Sequence, residues 1–271
     1  MALLDNKVEQ LRHLLADFDR VGIAFSGGVD SSFLLRFALD VLGPSRILVL
    51  HARSCLQKKQ EQEEVVTWGE RHGYPAATIQ QRIIKIEPLH WDDFIANPKN
   101  RCYLCKKHLY TLFLETLQQE GINVLLDGTN KDDLRQGEAG RPGLRALAEL
   151  DICTPLADCG LNKKEIRTLS RDLRLDTADI PSSSCLATRI PHGIMITPER
   201  LQMVVNLEQI LEKRGLTECR VRLGTDAEQN IFVQLPQKHL QQFHDDSLRK
   251  RLITRLKKEG VCKIYLDLEG R

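Results

Sequence analysis

Short apolar stretches alternate with longer amphipathic stretches along the first half of the chain. The apolar stretches predict strands at residues 21–25, 46–52, 77–83 and 123–127. The stretches around them predict helices at residues 3–18, 31–42, 57–72 and 103–120. This alternation favours an α/β fold, in which a parallel sheet carries helices on both faces. In such a sheet, ligands bind at the carboxyl ends of the strands.

The pattern changes after a junction at residues 182–198, which is rich in Ser, Pro and Gly. Beyond the junction, the order helix, strand, strand, helix, strand is predicted at residues 198–215, 218–223, 230–235, 237–259 and 262–268. That order is typical of a small α+β domain. The sequence therefore predicts two domains, residues 1–190 and a smaller one at residues 191–271.

Composition and charge indicate the partners and the cellular location of the protein. Of the 271 residues, 42% are hydrophobic, and the net charge of +2 does not favour a nucleic acid partner. No apolar stretch approaches the roughly 20 residues that span a bilayer, and residues 1–15 lack the apolar core of a signal peptide. A cytoplasmic protein without a membrane partner is expected. Its eight cysteines then indicate thiols, metal or cluster ligands, or catalysis rather than structural disulfides.

A small, glycine-rich loop connects the first predicted strand to the next helix. Residues 26–32 of this loop are Ser-Gly-Gly-Val-Asp-Ser-Ser. Gly27 and Gly28 let the main chain approach an oxyanion, and three serine hydroxyls add donors at a helix N-terminus. The loop predicts a phosphate cradle, although it lacks the Gly-Lys-Ser/Thr ending of a Walker A loop. The alternative is an ordinary turn that caps a helix.

A second loop follows the last predicted strand of the sheet. Asp127 ends that strand, and Gly128, Thr129 and Asn130 come next. Because the carboxyl ends of parallel strands meet at one edge of a sheet, this loop is expected to form a second wall of a nucleotide pocket. The alternative is a plain β–α turn.

Cysteine spacing provides another set of candidates. Cys102 and Cys105 form a C-x-x-C whose cationic neighbours favour thiolates, and Cys185 lies far away in sequence. Spacing alone leaves three interpretations open: a structural zinc site, a thioredoxin-like redox pair, and a cubane iron–sulfur cluster held by three cysteines with one iron open. The remaining cysteines are expected to be small buried apolar residues: Cys55, Cys153, Cys159, Cys219 and Cys262.

Two arginines alternate along a predicted strand. Arg220 and Arg222 are therefore expected to point to one face of that strand. Paired guanidiniums suit phosphate or carboxylate recognition, and the alternative is a solvated strand face. Glu208 lies on the preceding predicted helix and, taken alone, is expected on the surface.

Taken together, these motifs resemble a known family. The loop at residues 26–32 is similar to the PP-loop of the ATP pyrophosphatases, which cleave ATP between its α and β phosphates. The whole series resembles the LarE family of ATP-dependent sulfur transferases. The series comprises residues 26–32, 127–130, 141–145 (Arg-Pro-Gly-Leu-Arg), 181–189 (Pro-Ser-Ser-Ser-Cys-Leu-Ala-Thr-Arg), 220–222 (Arg-Val-Arg) and 266–270 (Leu-Asp-Leu-Glu-Gly). It covers essentially the whole chain.

The resemblance implies an enzyme that uses ATP and Mg²⁺ to adenylate a carboxylate of pyridinium-3,5-biscarboxylic acid mononucleotide. Sulfur, from sulfide or another donor, then displaces AMP and leaves a thiocarboxylate, a step in the biosynthesis of the nickel-pincer nucleotide cofactor. Adenylation is needed because a carboxylate is a poor electrophile and AMP is a good leaving group. Mg²⁺ would neutralise the departing pyrophosphate. The resemblance also implies a homo-oligomer.

By the same resemblance, roles fall on particular residues. Cys185 matches the sulfur-site cysteine, and Glu208, Arg220 and Arg222 match positions around the substrate, so these four are catalytic candidates. Arg189 is the candidate for binding the substrate phosphate. The ATP-binding candidates are Ser26, Gly27, Gly28, Asp30, Ser31, Ser32 and Gly128, with Asp30 also a metal partner.

The family has two branches that differ in the source of sulfur. In one, a single cysteine gives up its own sulfur and ends as dehydroalanine. In the other, three cysteines hold a 4Fe–4S cluster whose open iron carries an extra sulfide. Because this chain has Cys102 and Cys105 besides Cys185, it resembles the cluster branch.

The chain departs from the family pattern in two places, and other functions share parts of it. Gln242 stands where an acidic residue is expected, and the family continues with Arg-Ser-Gly where this chain ends at Arg271.

An iron–sulfur-dependent tRNA thiolase shares the loop and the cluster, but the near-neutral charge does not favour it. An ammonia-using synthetase, such as NAD synthetase, needs no set of three cysteines. A non-enzymatic nucleotide sensor or iron–sulfur scaffold would bind ATP without releasing pyrophosphate.

Overall fold

The computed structural model of the chain describes residues 2–75, 77–135, 142–181, 183–225 and 229–270. The strands in these ranges are β1 Val21–Ala24, β2 Ile47–Arg53, β3 Gln80–Lys85, β4 Leu125–Leu126, β5 Arg220–Leu223, β6 Ile231–Gln234 and β7 Ile264–Leu266. The α-helices are α1 Ala2–Ala16, α2 Val29–Leu42, α3 Lys59–Val66, α4 Trp68–Arg71, α5 Asp92–Ile95, α6 Arg101–Gln119, α7 Lys131–Arg135, α8 Gly143–Glu149, α9 Pro155–Asp158, α10 Lys163–Asp172, α11 Pro198–Glu212, α12 Gln237–Leu240 and α13 Asp246–Lys258. Of the sequence motifs, Arg141, Ser182 and Arg271 lie outside the described residues.

The chain forms two units, and the second is discontinuous in sequence. The first comprises Met1–Ser54, Lys59–Ile86 and Asn100–Ser183, and the second comprises Cys55–Lys58, Glu87–Lys99 and Ser184–Arg271. The sequence predicts one division after residue 190, whereas the structure divides the chain before Ser184. Hydrogen bonds explain why the segment 87–99 joins the second unit. The Asn97 side chain donates to the carbonyls of Pro191 and Ile194 over 2.7 and 2.8 Å.

A four-stranded parallel sheet with the order β3-β2-β1-β4 forms the centre of the first unit. Val21 and Ile23 of β1 pack in the core that α1 and α2 share, while Ala24 packs with α6. Helix α6 lies so close that a Cβ on Gly22 would be 2.6 Å from the side chain of Leu117. Helices therefore cover both faces, and the predicted α/β fold is confirmed.

The second unit is built on a smaller sheet with the order β5-β6-β7. Strand β5 runs antiparallel to β6, and β6 runs parallel to β7. One face of this sheet, including Val221 and Val233, packs with Leu207 of α11 and Leu252 of α13 in a separate core. The predicted small α+β arrangement is observed.

Several predicted elements differ in extent from the structure. The region predicted as mainly helical at residues 237–259 is interrupted between Leu240 and Asp246, and the strand predicted at residues 123–127 is confined to Leu125–Leu126. The helix predicted at residues 57–72 is divided at Thr67, where α3 ends and α4 begins. The strand predicted from residue 77 begins only at Gln80, because Ala77 has a left-handed φ of 68° that a strand does not accommodate. Across the described ranges, no helix combines the length and apolar character that crossing a membrane requires.

Candidate functional site

Residues 26–32 leave the carboxyl end of β1 and enter α2 through a tight loop. The Ser26 amide donates to Ser31 Oγ over 3.3 Å, and Ser31 Oγ donates to the carbonyl of Gly28 over 3.1 Å. Gly27 has a φ of 77°, and a Cβ there would lie 2.7 Å from Val65 Cγ2. Gly28 precedes α2 without a capping side chain among the described residues. The first amides of α2 are thus suited to bind an anion.

The second predicted loop contacts the first. A Cβ on Gly128 would lie 3.0 Å from the amide nitrogen of Ser31 and 3.2 Å from the carbonyl carbon of Asp30. Backbone atoms cannot move aside as a flexible side chain can, so glycine is what lets the two loops come this close. The structure therefore places Gly128 against the loop at residues 26–32, and its part in a nucleotide pocket stays a prediction.

A buried carboxylate fixes the Gly128 loop. Asp127 accepts hydrogen bonds from the hydroxyls of Tyr110 and Thr129, and from the Thr129 amide over 2.7 Å. Burial acts to raise the pKa of Asp127, but Lys106, 3.7 Å away, and the hydrogen bonds from Thr129 and Tyr110 lower it overall. The carboxylate is therefore ionised at neutral pH and holds the loop through charge-assisted hydrogen bonds.

Asp30, the predicted metal partner, already has a cation beside it. Its carboxylate pairs with Lys163 Nζ and accepts a hydrogen bond from Asn130 Nδ2 over 3.4 Å. Burial raises the pKa of Asp30, and the nearby Lys163 lowers it by a smaller amount. A lysine at this position could also contact the oxygens of a phosphate that enters the loop.

Sequence reasoning missed Lys163, although a signal for it exists. Asn162 and Glu165 form a capping box at the start of α10, which makes Lys163 the first residue of that helix. A cation there is unfavourable for the helix dipole. Its position is therefore a sign that the lysine interacts with an anionic group elsewhere.

The three cysteines proposed for a cluster belong to different units. Cys102 and Cys105 lie one turn apart at the start of α6, on one face of that helix. Cys102 and Cys185 are exposed, and Cys105 is partly exposed. Within the described residues of each unit, no group of three or more His, Cys, Asp or Glu side chains is placed to hold a metal ion. The three-cysteine cluster stays a prediction.

The other five cysteines are not all buried. Cys159 and Cys219 are buried as expected, and burial, followed by the nearby glutamates, raises the pKa of the Cys219 thiol to about 12. Cys153 is partly exposed. The expectation of burial is wrong for Cys55 and Cys262, which are exposed. Cys55 follows Ser54, where the chain leaves the first unit, and Cys262 precedes β7, so both lie outside helices and strands.

Arg189 holds the turn that carries Cys185. Its side chain is 5% exposed. Nη1 donates to the carbonyl of Ser184 over 2.8 Å, to the hydroxyl of Ser184, and to Thr188 Oγ1 over 3.0 Å. Nε donates to Glu208 Oε1 over 3.0 Å. These contacts give Arg189 a role within the protein, and its binding of a substrate phosphate stays a prediction.

Glu208 is fully buried, so its expected place on the surface is wrong. Its carboxylate pairs with Arg189 and with Lys58 Nζ, 2.8 Å from Oε2, and accepts a hydrogen bond from the Val221 amide over 3.0 Å. A buried carboxylate is tolerated when it is paired in this way. Glu208 therefore connects the Cys185 turn to β5.

The predicted alternation in β5 is observed. Val221 is buried, and the two arginines lie on the opposite face of the strand. Arg222 Nε donates to Gln234 Oε1 over 3.0 Å, and its Nη1 donates to the carbonyl of Thr188 over 3.4 Å. The second unit thus brings together an exposed thiol, Glu208 and the arginines of β5.

Comparison with known proteins identifies the family. No protein-family model matches the chain. An uncharacterised Synechocystis protein is 35% identical over 269 residues, which are 99% of this chain and 96% of that protein. The pyridinium-3,5-bisthiocarboxylic acid mononucleotide synthase of Lactiplantibacillus plantarum is 29% identical over 270 residues, 100% of this chain and 93% of the synthase. The chain belongs to the LarE family.

The likeness of this LarE-family chain extends to GMP synthases. One subunit of the glutamine-hydrolysing GMP synthase of Thermoplasma acidophilum is 30% identical over 211 residues, 72% of this chain and 64% of that subunit. The α/β fold of the LarE-family chain is shared with these synthases. Chemically, the first unit is suited to bind an anion at the start of α2, and the second presents Cys185 on a turn held by Arg189.

Proposed function

We propose that this LarE-family chain is an ATP-dependent sulfur transferase. It adenylates a carboxylate of pyridinium-3,5-biscarboxylic acid mononucleotide and converts it to a thiocarboxylate for the nickel-pincer nucleotide cofactor. The full-length likeness to a pyridinium-3,5-bisthiocarboxylic acid mononucleotide synthase carries the proposal. The exposed Cys185, on a turn held by Arg189, supports it. The cytoplasm is the proposed location.

The adenylation step is proposed for the first unit. A substrate carboxylate oxygen attacks the α-phosphorus of ATP, and pyrophosphate leaves with the electron pair of the broken bond. The amides of the loop at residues 26–32, together with Lys163, would bind the phosphates. Gly128 keeps the second loop against this site. Mg²⁺, when bound, neutralises the departing pyrophosphate, and Asp30 is proposed to hold it directly or through water.

The sulfur-transfer step is proposed for Cys185 and its surroundings. Arg220 and Arg222 would bind carboxylates or the phosphate of the substrate. Cys102, Cys105 and Cys185 would hold a 4Fe–4S cluster, which when bound supplies the sulfur that is transferred. Their accessible thiols fit this donor set, and Cys102 and Cys105 share one face of α6.

If the chain carries out the proposed adenylation, AMP should form only when the dicarboxylate mononucleotide is present. Protein incubated with ATP, Mg²⁺, the dicarboxylate mononucleotide and sulfide should release AMP and pyrophosphate in equal amounts, and neither without the mononucleotide. Asp30→Asn should lower the rate by about 100-fold, because it removes the carboxylate that is proposed to hold Mg²⁺ beside the phosphates. Asp40→Asn is the matched control, since Asp40 lies in the last turn of the same helix and pairs with Arg36 over 3.1 Å. Equal rates in the two variants, or no AMP from the wild type, would contradict the proposal.

The likeness to GMP synthases favours a second candidate, an ammonia-using synthetase. Such an enzyme would also adenylate its substrate but would not need Cys185. Ammonia supplied instead of sulfide should then yield an amide, with full activity in a Cys185→Ala variant. Loss of thiocarboxylate formation in that variant, with pyrophosphate release retained, would exclude the synthetase.

A further inference from the structure

Two aromatic side chains stack on the face of the small sheet that is opposite its core. Phe232 of β6 and Tyr265 of β7 are partners across the strands, with ring centroids 4.9 Å apart and planes 16° from parallel. Phe232 is 44% exposed and Tyr265 is 43% exposed. Large aromatic side chains that share one exposed patch are typical of binding surfaces.

This pair lies beside the arginines of β5. Arg222 is opposite Phe232 in the register, so Arg222, Phe232 and Tyr265 form one row across three strands, here called the aromatic row. Gln234, two residues after Phe232 on β6, connects Arg222 of this row to Asp267. Its Oε1 accepts from Arg222 Nε over 3.0 Å, and its Nε2 donates to Asp267 Oδ2 over 2.8 Å. The guanidinium is therefore held on the same face of the sheet as the rings.

We propose that the aromatic row binds the pyridinium ring of the substrate, with the ring stacked on Phe232 and Tyr265. This inference rests on the proposed function. A pyridinium is planar and cationic, so two arginines alone would repel it, while the negative π-faces of aromatic side chains attract it. Its anionic carboxylates and phosphate match the neighbouring guanidiniums. The row thus offers each part of the substrate a group of suitable charge.

The same charges argue against a second copy of the chain as the occupant. In a two-fold symmetric contact, the same patch would face itself. The arginines of the two copies would then approach each other, and like charges in an interface are unfavourable. A small ligand that carries both a cationic ring and anionic groups fits this face better.

The test is a binding measurement by calorimetry with pyridinium-3,5-biscarboxylic acid mononucleotide, with and without a non-hydrolysable ATP analogue. Phe232→Leu and Tyr265→Leu keep apolar bulk but remove the ring, and each should raise Kd about 3- to 30-fold. Phe232→Tyr should bind like the wild type. Benzene-1,3-dicarboxylate, which has a neutral ring, should lose less affinity in the leucine variants. Ile253→Ala, at a side chain 39% exposed on α13, is the control that should not change Kd.

The remaining outcomes distinguish failure of the stacking role from failure of the proposed function. A wild type that binds the mononucleotide and forms AMP, with leucine variants of unchanged Kd, would overturn the stacking role and leave the proposed function intact. A wild type that neither binds the mononucleotide nor forms AMP would overturn both. Leucine variants that change the sedimentation coefficient at unchanged Kd would show that the face is an interface between copies, which also overturns the inference.

Discussion

At the scale of single residues, Glu208 is the clearest case of a side chain whose role depends on its partners. It is fully buried, and its charge is balanced by Lys58 and Arg189. Neither partner is close to it in sequence, and α11 taken alone suggests nothing unusual at this position. The carboxylate orders the Cys185 turn through Arg189, so we regard it as a positioning residue.

Replacing this buried charge should be costly. Glu208→Gln leaves Lys58 and Arg189 beside a neutral group and should lower the free energy of unfolding by about 3–5 kcal/mol. The measurement is urea denaturation at pH 7. The matched control is Glu212→Gln, because Glu212 pairs with the same lysine over 2.7 Å but is 34% exposed. It should cost less than about 1 kcal/mol, and similar losses in both variants would contradict the positioning role.

Lys163 illustrates why a site is harder to predict than its motif. The loop at residues 26–32 can be recognised because its residues are contiguous. Lys163, by contrast, reaches Asp30 only after the chain has formed β4 and the start of α10. Its place at the start of a helix indicates an anionic partner, but only the tertiary structure shows that this partner is Asp30.

At the scale of elements, the contact between the loop at residues 26–32 and the loop at residues 127–130 depends on the absence of a side chain at Gly128. Gly128→Ala places a Cβ against the backbone of Asp30 and Ser31. We expect a loss of about 1–3 kcal/mol in stability and a marked fall in AMP formation, because the loop at residues 26–32 must shift. Gly69→Ala is the control, since its Cβ would meet Ile79 at an ordinary 3.5 Å. Unchanged AMP formation by Gly128→Ala would disprove the importance of this contact.

Asp127 makes the attachment of the same loop dependent on pH. Its folded-state pKa is lowered, so its contribution to stability is present above the ordinary aspartate pKa near 4 and is lost as the pH falls through the folded-state value. Asp127→Asn should therefore be less stable than the wild type by about 1–3 kcal/mol at pH 7. This difference should shrink steadily below about pH 4. Urea denaturation from pH 3 to 7 tests this, and a difference independent of pH would contradict it.

The elements themselves were largely predictable from hydrophobic periodicity. The helix predicted at residues 103–120 matches Arg101–Gln119, because the apolar residues Tyr110, Phe113 and Leu117 recur on one buried face. The division of the predicted helix at Thr67 and the late start of β3 were missed. Both result from local backbone geometry that the apolar pattern does not encode, such as the left-handed φ of Ala77.

At the scale of the whole molecule, the proposed cluster draws its cysteines from both units. Protein purified and reconstituted without oxygen should contain about four iron and four acid-labile sulfide per chain. Cys102→Ala should lose this content. Cys159→Ala should keep it, because Cys159 is buried and is not a proposed ligand. If the wild type held no iron, the cluster branch would be excluded, and dehydroalanine at position 185 would be sought by mass spectrometry.

The discontinuous second unit also has a consequence for synthesis on the ribosome. Asn97 donates to the carbonyl of Pro191, a residue 94 positions later in the chain. All segments of the first unit are present once residue 183 has emerged, while residues 87–99 must wait for partners that are translated afterwards. A nascent chain stalled near that point would expose Leu56 and Phe94, which are buried in the finished protein. Such an intermediate would be a substrate for chaperones, and a gene fragment that begins at residue 184 would encode a unit without its earlier segments.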